Sequence, residues 1–130
     1  QNGHIQCVEV LLSAGADVEL AQDNGFTSLM KAAQNGHDLC ARALLENGAA
    51  VNSQHNEGVT ALMLSANNGH EQVWNPTILS CLYLMFTPHC SHHHEQVARA
   101  LLENGAAVNS QNNEGMTALM FSALRGHEQV

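Results

Sequence analysis

Apolar residues recur along the chain in short blocks that are bounded by turn-forming residues. One block covers residues 28–35 and is rich in alanine, and the next covers residues 38–46 and has a broad apolar stripe. Gly36 and Gly48 follow these blocks, where glycine can adopt the left-handed conformation that ends a helix. Thr27 precedes the first block, where its hydroxyl can cap the helix. The pattern therefore predicts two short helices joined by a turn.

The helix pair belongs to a unit that repeats along the chain. Gly-His pairs begin at residues 3, 36, 69 and 126, so the intervals are 33, 33 and 57 residues, and the last exceeds the others by 24. The turn formers at residues 23–25 return at the same intervals as 56–58 and 113–115. A helix pair this short cannot bury its own apolar face. The units must therefore stack, and a solenoid is predicted.

The repeated residues resemble those of the ankyrin repeat family, for which a 33-residue period is typical. The resemblance rests on residues 25–33 (GFTSLMKAA), 35–37 (NGH) and 44–52 (LLENGAAVN), and it covers the chain except for the 24 extra residues. It implies an all-α solenoid of stacked helix-turn-helix units with β-turn or hairpin connections. About three to four repeats are expected, some of them incomplete.

One motif departs from the family pattern. The family's tetrapeptide T-P-L-H stands here as TSLM at residues 27–30 and as TALM at residues 60–63 and 117–120. The hydrogen bonds that the family's histidine makes are therefore lost. We expect a less stable stack for this reason.

The period divides the chain into one domain of four units. Residues 1–21 form a partial repeat, 22–53 a full repeat, 54–110 an interrupted repeat and 111–130 a second partial repeat. The second helix of the first unit is expected at about residues 5–13. Neither end carries a polar capping repeat, which solenoids need for solubility. We therefore expect the sequence to be a fragment of a longer protein.

The 24 extra residues, at about 71–94, fall between the two helices of the third unit. Residues 95–103 are expected to form the second helix, with residues 71–93 looping out, because such loops tolerate insertions. The codons for residues 73–96 can begin with GT and end with AG, and their removal restores the 33-residue register. A retained intron or an error in the gene model is the interpretation that we favour.

Two other interpretations treat the insert as functional. Trp74, Tyr83 and Phe86 would anchor a docking appendage, since exposed apolar residues mark interaction sites. Alternatively, cysteine and histidine are zinc-ligand types, although their spacing here matches no zinc motif. The candidate ligands of this minor alternative are Cys81, His89, Cys90, His92, His93 and His94.

The net charge of the chain excludes some classes of binding partner. The chain has four basic residues against twelve acidic ones, and its formal net charge is −8. Binding to nucleic acid or to an anionic membrane surface is therefore not expected. The longest apolar run, at residues 78–86, is far shorter than the roughly 20 residues that cross a bilayer.

No catalytic motif stands out, so no enzyme activity, cofactor or metal is predicted. The sequence lacks the G-x-S-x-G, P-loop and dinucleotide-binding patterns. His55 lies in a turn between repeats. The other histidines outside the insert recur at one position of the unit, in the turn between its helices, which favours a role in the fold. These residues are His4, His37, His70 and His127.

Cysteine usage indicates the compartment. Cys7 and Cys40 occupy equivalent positions in adjacent repeats. Stacked helices lie about 8–10 Å apart, which exceeds the roughly 7 Å limit between the Cα atoms of a disulfide. Buried, reduced thiols are expected, and with them an intracellular location in the cytoplasm, with the nucleus as the alternative.

The resemblance implies a protein-interaction module, because the family binds partners on the concave surface made by its turn tips and first helices. Acidic residues at the tips would favour a partner with a basic surface. An alternative function is regulation of an enzyme or channel domain in a larger protein. By motif position the candidate contacts are Asp23, Asn24, Phe26, Gln34, Asn35, Asn56, Glu57, Val59, Asn67, Asn68, Asn113, Glu114, Met116, Leu124 and Arg125.

Overall fold

The computed structural model describes residues 2–68 and 90–124, and within these ranges the chain is helical with no β-strand. None of the helices in this part is long and apolar enough to cross a bilayer. The helices are α1 (Asn2–Ser13), α2 (Ser28–Asn35), α3 (Asp38–Glu46), α4 (Ala61–Asn68), α5 (Cys90–Glu103) and α6 (Ala118–Leu124).

The helices form two layers. α2, α4 and α6 lie side by side in one layer, and α1, α3 and α5 form the other. In addition, α2 packs on α3 and α4 packs on α5, so each pair is one helix-turn-helix unit. The structure confirms the all-α solenoid of stacked repeats that the 33-residue period predicts.

The helix boundaries follow from local capping. The Thr27 hydroxyl accepts a hydrogen bond from the backbone N–H of Met30 over 3.3 Å, and Thr60 and Thr117 do the same for Met63 and Met120. Gly36 ends α2 in the left-handed conformation, with φ of 68°. The predicted cap, the predicted turn and the two predicted helices of this repeat are confirmed.

The core lies between the two layers, in the middle of the stack. Leu29, Met30, Met63 and Leu101 are almost completely buried. Both methionines stand where the family has a histidine, so an apolar side chain fills that place in the core. Alanines complete the contact between helices, because a small side chain lets two backbones approach closely.

Burial decreases from the middle of the stack toward its outer units. Residues 41–54 and 98–111 have identical sequences, yet Leu45 is 8% exposed and Leu102 is 46% exposed. The difference has a simple cause. α3 lies between α1 and α5, whereas α5 has α3 on one side and no described helix of its layer on the other.

The predicted start of the second helix in the interrupted repeat is wrong. α5 begins at Cys90 instead of Glu95. His93 stands where the preceding repeat has Gly36, so no glycine ends the helical conformation there. The rest of the expected loop, residues 71–89, lies outside the described residues, as do His70 and His127.

The first helix also differs from its prediction. α1 begins at Asn2, and His4 therefore lies within a helix and not in a turn. The expected burial of both thiols is wrong as well, because Cys7 is exposed and Cys40 only half-buried. Of the described helices, α3 alone packs on α1, which leaves the Cys7 side of α1 open.

Candidate functional site

Three turns lie along one edge of the solenoid, one before each helix of the α2, α4 and α6 layer. In each turn the glycine N–H donates to the carbonyl of the residue three positions earlier, over 2.8–2.9 Å. These are the turns that the sequence predicts. The donor–acceptor pairs are Gly25–Gln22, Gly58–His55 and Gly115–Asn112.

Hydrogen bonds join each turn to the next. The Asn56 N–H donates to the carbonyl of Asn24 over 3.0 Å, and the Asn113 N–H donates to that of Glu57 over 2.9 Å. The Asn113 side chain donates in addition to the Asn56 carbonyl over 3.0 Å. The three turns therefore form one continuous edge instead of three independent loops.

Glycine is required in these turns for two reasons. Gly25 and Gly58 have φ of 82° and 77°, which other L-residues rarely adopt. The neighbouring turn also leaves no room for a side chain. A Cβ at Gly58 would lie 2.8 Å from Oδ1 of Asn113, and one at Gly25 would lie 3.0 Å from Cα of His55.

A cavity of about 420 Å³ opens between the second and third turns and the helices α4 and α6. We call it the groove. Its apolar lining comes from Val59, Met63, Leu64 and Phe121, and its polar lining from His55, Glu57, Asn67, Asn112, Asn113 and Glu114. An apolar floor with two exposed carboxylates suits a side chain with an aliphatic stem and a cationic end, as in lysine or arginine.

An aromatic stack lies beside the groove. The rings of Phe26 and His55 have centroids 5.3 Å apart and planes 18° apart. Nζ of Lys31 lies 4.8 Å from the Phe26 centroid and donates to the Gln34 side chain over 3.3 Å. Neighbours thus cover part of the Phe26 ring, which leaves it half-exposed as a candidate contact.

The His55 ring is also held at its edge. Its Nδ1 accepts a hydrogen bond from the backbone N–H of Glu57 over 2.9 Å. Nδ1 must therefore be unprotonated in this arrangement, and a neutral His55 carries its proton on Nε2. The third turn has an equivalent hydrogen bond, in which the Asn112 side chain accepts from the backbone N–H of Glu114 over 3.0 Å.

Two of the candidate contacts connect neighbouring repeats at the end of α2. The backbone carbonyl of Gln34 accepts a hydrogen bond from the Asn68 side chain over 3.0 Å, and Nε2 of His94 lies 3.2 Å from the same oxygen. This carbonyl is one of those that a helix end leaves without an intrahelical partner. Gln34 and Asn68 therefore contribute to the stacking of the repeats.

The candidate contacts differ in exposure. Val59 is buried, so the expectation that it lies on the surface is wrong, and it forms part of the groove floor. Arg125 lies outside the described residues. The exposed candidates are Asp23, Asn24, Asn35, Asn56, Glu57, Asn113, Glu114 and Leu124, and the half-buried ones are Phe26, Gln34, Asn67, Asn68 and Met116.

Sequence reasoning missed part of the groove. Met63, Leu64 and Phe121 lie on the helices, where the period predicts core positions, whereas the predicted contacts lie in the turns and at the helix ends. Asn112 and His55 directly precede the predicted contacts of their turns. Phe121 carries the one available signal, because lysine and leucine stand at its equivalent positions, Lys31 and Leu64.

The histidines of the proposed zinc site point to different neighbours. Nδ1 of His93 lies 3.5 Å from Oδ1 of Asp38, whereas the buried His94 packs on Gly36. In the part of the chain that the structure describes, no three His, Cys, Asp or Glu residues are grouped to hold a metal. The other candidate ligands, Cys81, His89, Cys90 and His92, have side chains outside that part, as do the docking candidates Trp74, Tyr83 and Phe86.

The environment of Cys40 makes its thiol a poor nucleophile. Burial raises the pKa of the Cys40 thiol, and the nearby carboxylate of Asp38 raises it further. A raised pKa lowers the thiolate fraction at neutral pH, and the thiolate is the reactive species. The Cys40 thiol is therefore less reactive than an ordinary exposed thiol.

Two family models match the sequence. One, described as ankyrin repeats (3 copies), matches residues 1–75, and the other, described as ankyrin repeats (many copies), matches residues 88–130. Residues 76–87, which neither match includes, lie inside the predicted insert. A comparison with curated proteins gave no match.

Proposed function

Because the chain belongs to the ankyrin repeat family, we propose that it binds a partner protein through the groove and the turn edge beside it. Ankyrin repeats generally mediate protein–protein interaction and are typically not enzymes. The observation that supports this site most directly is the groove, an open cavity of about 420 Å³ with both apolar and acidic lining.

The charge of the groove selects a class of partner. Glu57 and Glu114 are exposed at neighbouring turns and both line the cavity, and Asp23 is exposed at the first turn. The net charge of −8 extends this negative field over the whole chain. The proposed partner therefore presents a lysine or arginine on its surface, and long-range attraction speeds their encounter.

Apolar and amide groups supply the remaining contacts of the proposed complex. Phe121 and Met63 form an apolar floor for the stem of the basic side chain, and Met116 is half-exposed beside the third turn. The amides of Asn67 and Asn113 lie at the groove, where an amide can both donate and accept hydrogen bonds. This combination suits a peptide segment with a basic residue beside an apolar one.

An intracellular location, in the cytoplasm or the nucleus, forms part of the proposal. Cys7 and Cys40 are free thiols. Free thiols are typical of reducing compartments, where disulfides are rare.

Selection from a random peptide library on the immobilised chain tests the proposal. We expect the selected peptides to carry lysine or arginine next to an apolar residue, and to bind less tightly as salt concentration rises. The double substitution Glu57→Lys, Glu114→Lys should weaken their binding at least about tenfold, because it places like charges in contact.

The matched control is the double substitution Glu9→Lys, Glu46→Lys. It changes the net charge by the same amount, but both positions are exposed on α1 and α3, in the other layer of helices. Binding by this variant should stay within about twofold of the original chain. Equal losses in the two variants would show a general charge effect, and unchanged binding by the first variant would reject the groove as the site.

A further inference from the structure

The peptide group between Asn56 and Glu57 connects His55 to the third turn. Its N–H, that of Glu57, donates to Nδ1 of His55 over 2.9 Å. Its carbonyl, that of Asn56, accepts from the Asn113 side chain over 3.0 Å. His55, Glu57 and Asn113 all line the groove. The imidazole therefore helps to fix a peptide group that joins two sides of the groove.

The third turn makes the equivalent contact without a titratable group. Oδ1 of Asn112, which stands at the position of His55 in the repeat, accepts from the Glu114 N–H over 3.0 Å. An amide oxygen accepts hydrogen bonds at any pH, whereas an imidazole nitrogen accepts only while it is unprotonated. Of these two turns, the second is therefore the one whose internal hydrogen bond depends on pH.

Protonation of His55 removes the acceptor and adds a positive charge at the groove. Histidine ordinarily changes its charge between about pH 5 and pH 8. A protonated ring has a donor at both nitrogens, so the N–H at Nδ1 would face the N–H of Glu57. Two donors do not bind each other, and the contact between the ring and the peptide group has to open.

The charges around His55 are of both signs. The imidazole stacks on the Phe26 ring, and Nζ of Lys31 lies 4.8 Å from the centroid of that ring. Lys31 therefore opposes a positive charge on His55, whereas the carboxylates of the turns favour it. The charged groups on the elements packed around His55 are Asp23 and Lys31 in the preceding repeat, Glu57 in its own turn and Glu114 in the third turn.

We propose that His55 makes the groove pH-dependent, so that a partner with a basic residue binds at neutral pH and is released as His55 gains a proton. This inference rests on the proposed function, because it concerns the same groove and the same class of partner. Two effects act in one direction. The charge on His55 competes with the partner's cation for Glu57 and Glu114, and the lost hydrogen bond releases the peptide group that positions Glu57. His55 is therefore a positioning residue for the groove.

The state of the turn can be measured without a partner. In NMR spectra of the isotope-labelled chain, the amide signal of Glu57 should shift together with the ring signals of His55 as the pH falls from about 8 to about 5.5. In the His55→Asn chain the Glu57 signal should stay in place, because an asparagine oxygen accepts at both pH values. A Glu57 signal that does not follow the titration of His55 would overturn the proposal.

Binding of a basic peptide measures the functional effect. The probe is a library-selected peptide that carries lysine or arginine, lacks histidine and acidic residues and has blocked termini, so its charge is constant. Its affinity, measured by calorimetry at constant salt, should fall at least about fivefold between about pH 7.5 and pH 5.5. The His55→Asn chain should bind within about twofold of the original at the higher pH and lose no more than about twofold at the lower pH.

His37→Asn is the matched control. His37 is exposed at the start of α3, and among the described residues its side chain makes no capping hydrogen bond. This variant also loses one histidine and should keep the full pH dependence. Equal pH dependence in the original and His55→Asn chains would overturn the proposal and leave the groove as a binding site. If no peptide binds at the higher pH, the proposed function itself fails, and pH-dependent release fails with it.

Discussion

Asn52 and Ala107 lie in neighbouring repeats, and the Asn52 side chain makes two hydrogen bonds to the backbone of the repeat that contains Ala107. Its Oδ1 accepts from the Ala107 N–H over 2.7 Å, and its Nδ2 donates to the Gly105 carbonyl over 3.3 Å. Glu19 makes the equivalent contact to Ala50 one repeat earlier. These bonds connect the segments that follow the second helices of neighbouring repeats. The stack is therefore held by polar contacts as well as by apolar packing.

Replacing this asparagine should lower stability. We expect Asn52→Ala to reduce the free energy of unfolding by about 1–2 kcal/mol, because two hydrogen bonds of roughly 0.5–1.5 kcal/mol each are lost at an exposed site. Urea unfolding monitored by circular dichroism measures the change. Asn109→Ala is the control, since Asn109 has no inter-repeat bond among the described residues, and it should stay within about 0.5 kcal/mol. Equal losses would mean that the inter-repeat bonds contribute nothing.

Replacing two turn glycines with alanine separates the cost of backbone strain from the cost of a steric collision. Gly58 and Gly115 both have φ of 77°, but a Cβ at Gly58 would collide with Asn113, whereas a Cβ at Gly115 would meet no atom within 4 Å. Both substitutions should cost about 1–2 kcal/mol for the positive φ. Gly58→Ala should cost about 1 kcal/mol more, because the neighbouring turn has to move. The same urea experiment compares them, and the prediction fails if Gly115→Ala is as harmful as Gly58→Ala.

The two described cysteines should differ in reactivity. Iodoacetamide should modify the exposed Cys7 faster than Cys40 in the folded chain, because burial and Asp38 raise the pKa of the Cys40 thiol. Peptide mass spectrometry after timed quenching gives both rates in one sample. In concentrated urea the two rates should converge. A Cys40 that reacts as fast as Cys7 before unfolding would contradict its burial.

The same pKa shift predicts a dependence of stability on pH. The folded pKa of Cys40 lies above the ordinary value of 9.0, so the folded chain keeps a proton that the unfolded chain loses. The stabilisation is therefore complete below about pH 9 and decreases as the pH rises above it. Cys40→Val should flatten this decrease, since Val97 already occupies the equivalent position in α5. Urea unfolding at pH 8 and pH 10 for both chains makes the comparison.

The extra residues can be tested in the protein from its native source. If residues 73–96 are a retained intron, as the register favours, the mature chain joins Gln72 directly to Val97. The tryptic peptide between Arg42 and Arg99 should then be 24 residues shorter. This peptide is diagnostic because it spans the junction between Gln72 and Val97. A peptide from within segment 98–111 would not be, since its sequence also occurs at residues 41–54. Detection of peptides that contain Trp74 would instead show that the insert is translated.

Most of the fold could be predicted because each local signal repeats. The sequence pattern predicts that Thr27 caps α2 and that Gly36 ends it, and the structure shows both. The 33-residue period alone indicates that the repeats stack. The start of α5 could not be predicted in this way, because the residues before Glu95 do not belong to the period. The sequence offers His94 only as a zinc-ligand candidate, and its burial against Gly36 depends on that unpredicted turn of helix.

The candidate site was less predictable than the fold. Motif position indicates which residues precede the first helices, but not how deeply each is packed. Val59 is buried because it lies between neighbouring repeats at the groove floor, although its position in the unit is that of the half-exposed Phe26 and Met116. The groove itself forms between two neighbouring repeats, and each repeat supplies part of its lining. A pattern read within one unit does not contain that information.

The identical segments 41–54 and 98–111 also bear on how the repeats diverge. Within one copy of the chain, Leu45 is a core residue, whereas Leu102 is about half-exposed among the described residues. Replacing Leu45 with a polar residue therefore removes more buried apolar area than the same replacement at Leu102. The same substitution in two identical segments therefore changes the free energy of unfolding by different amounts, so the packing around each copy limits how that copy can diverge.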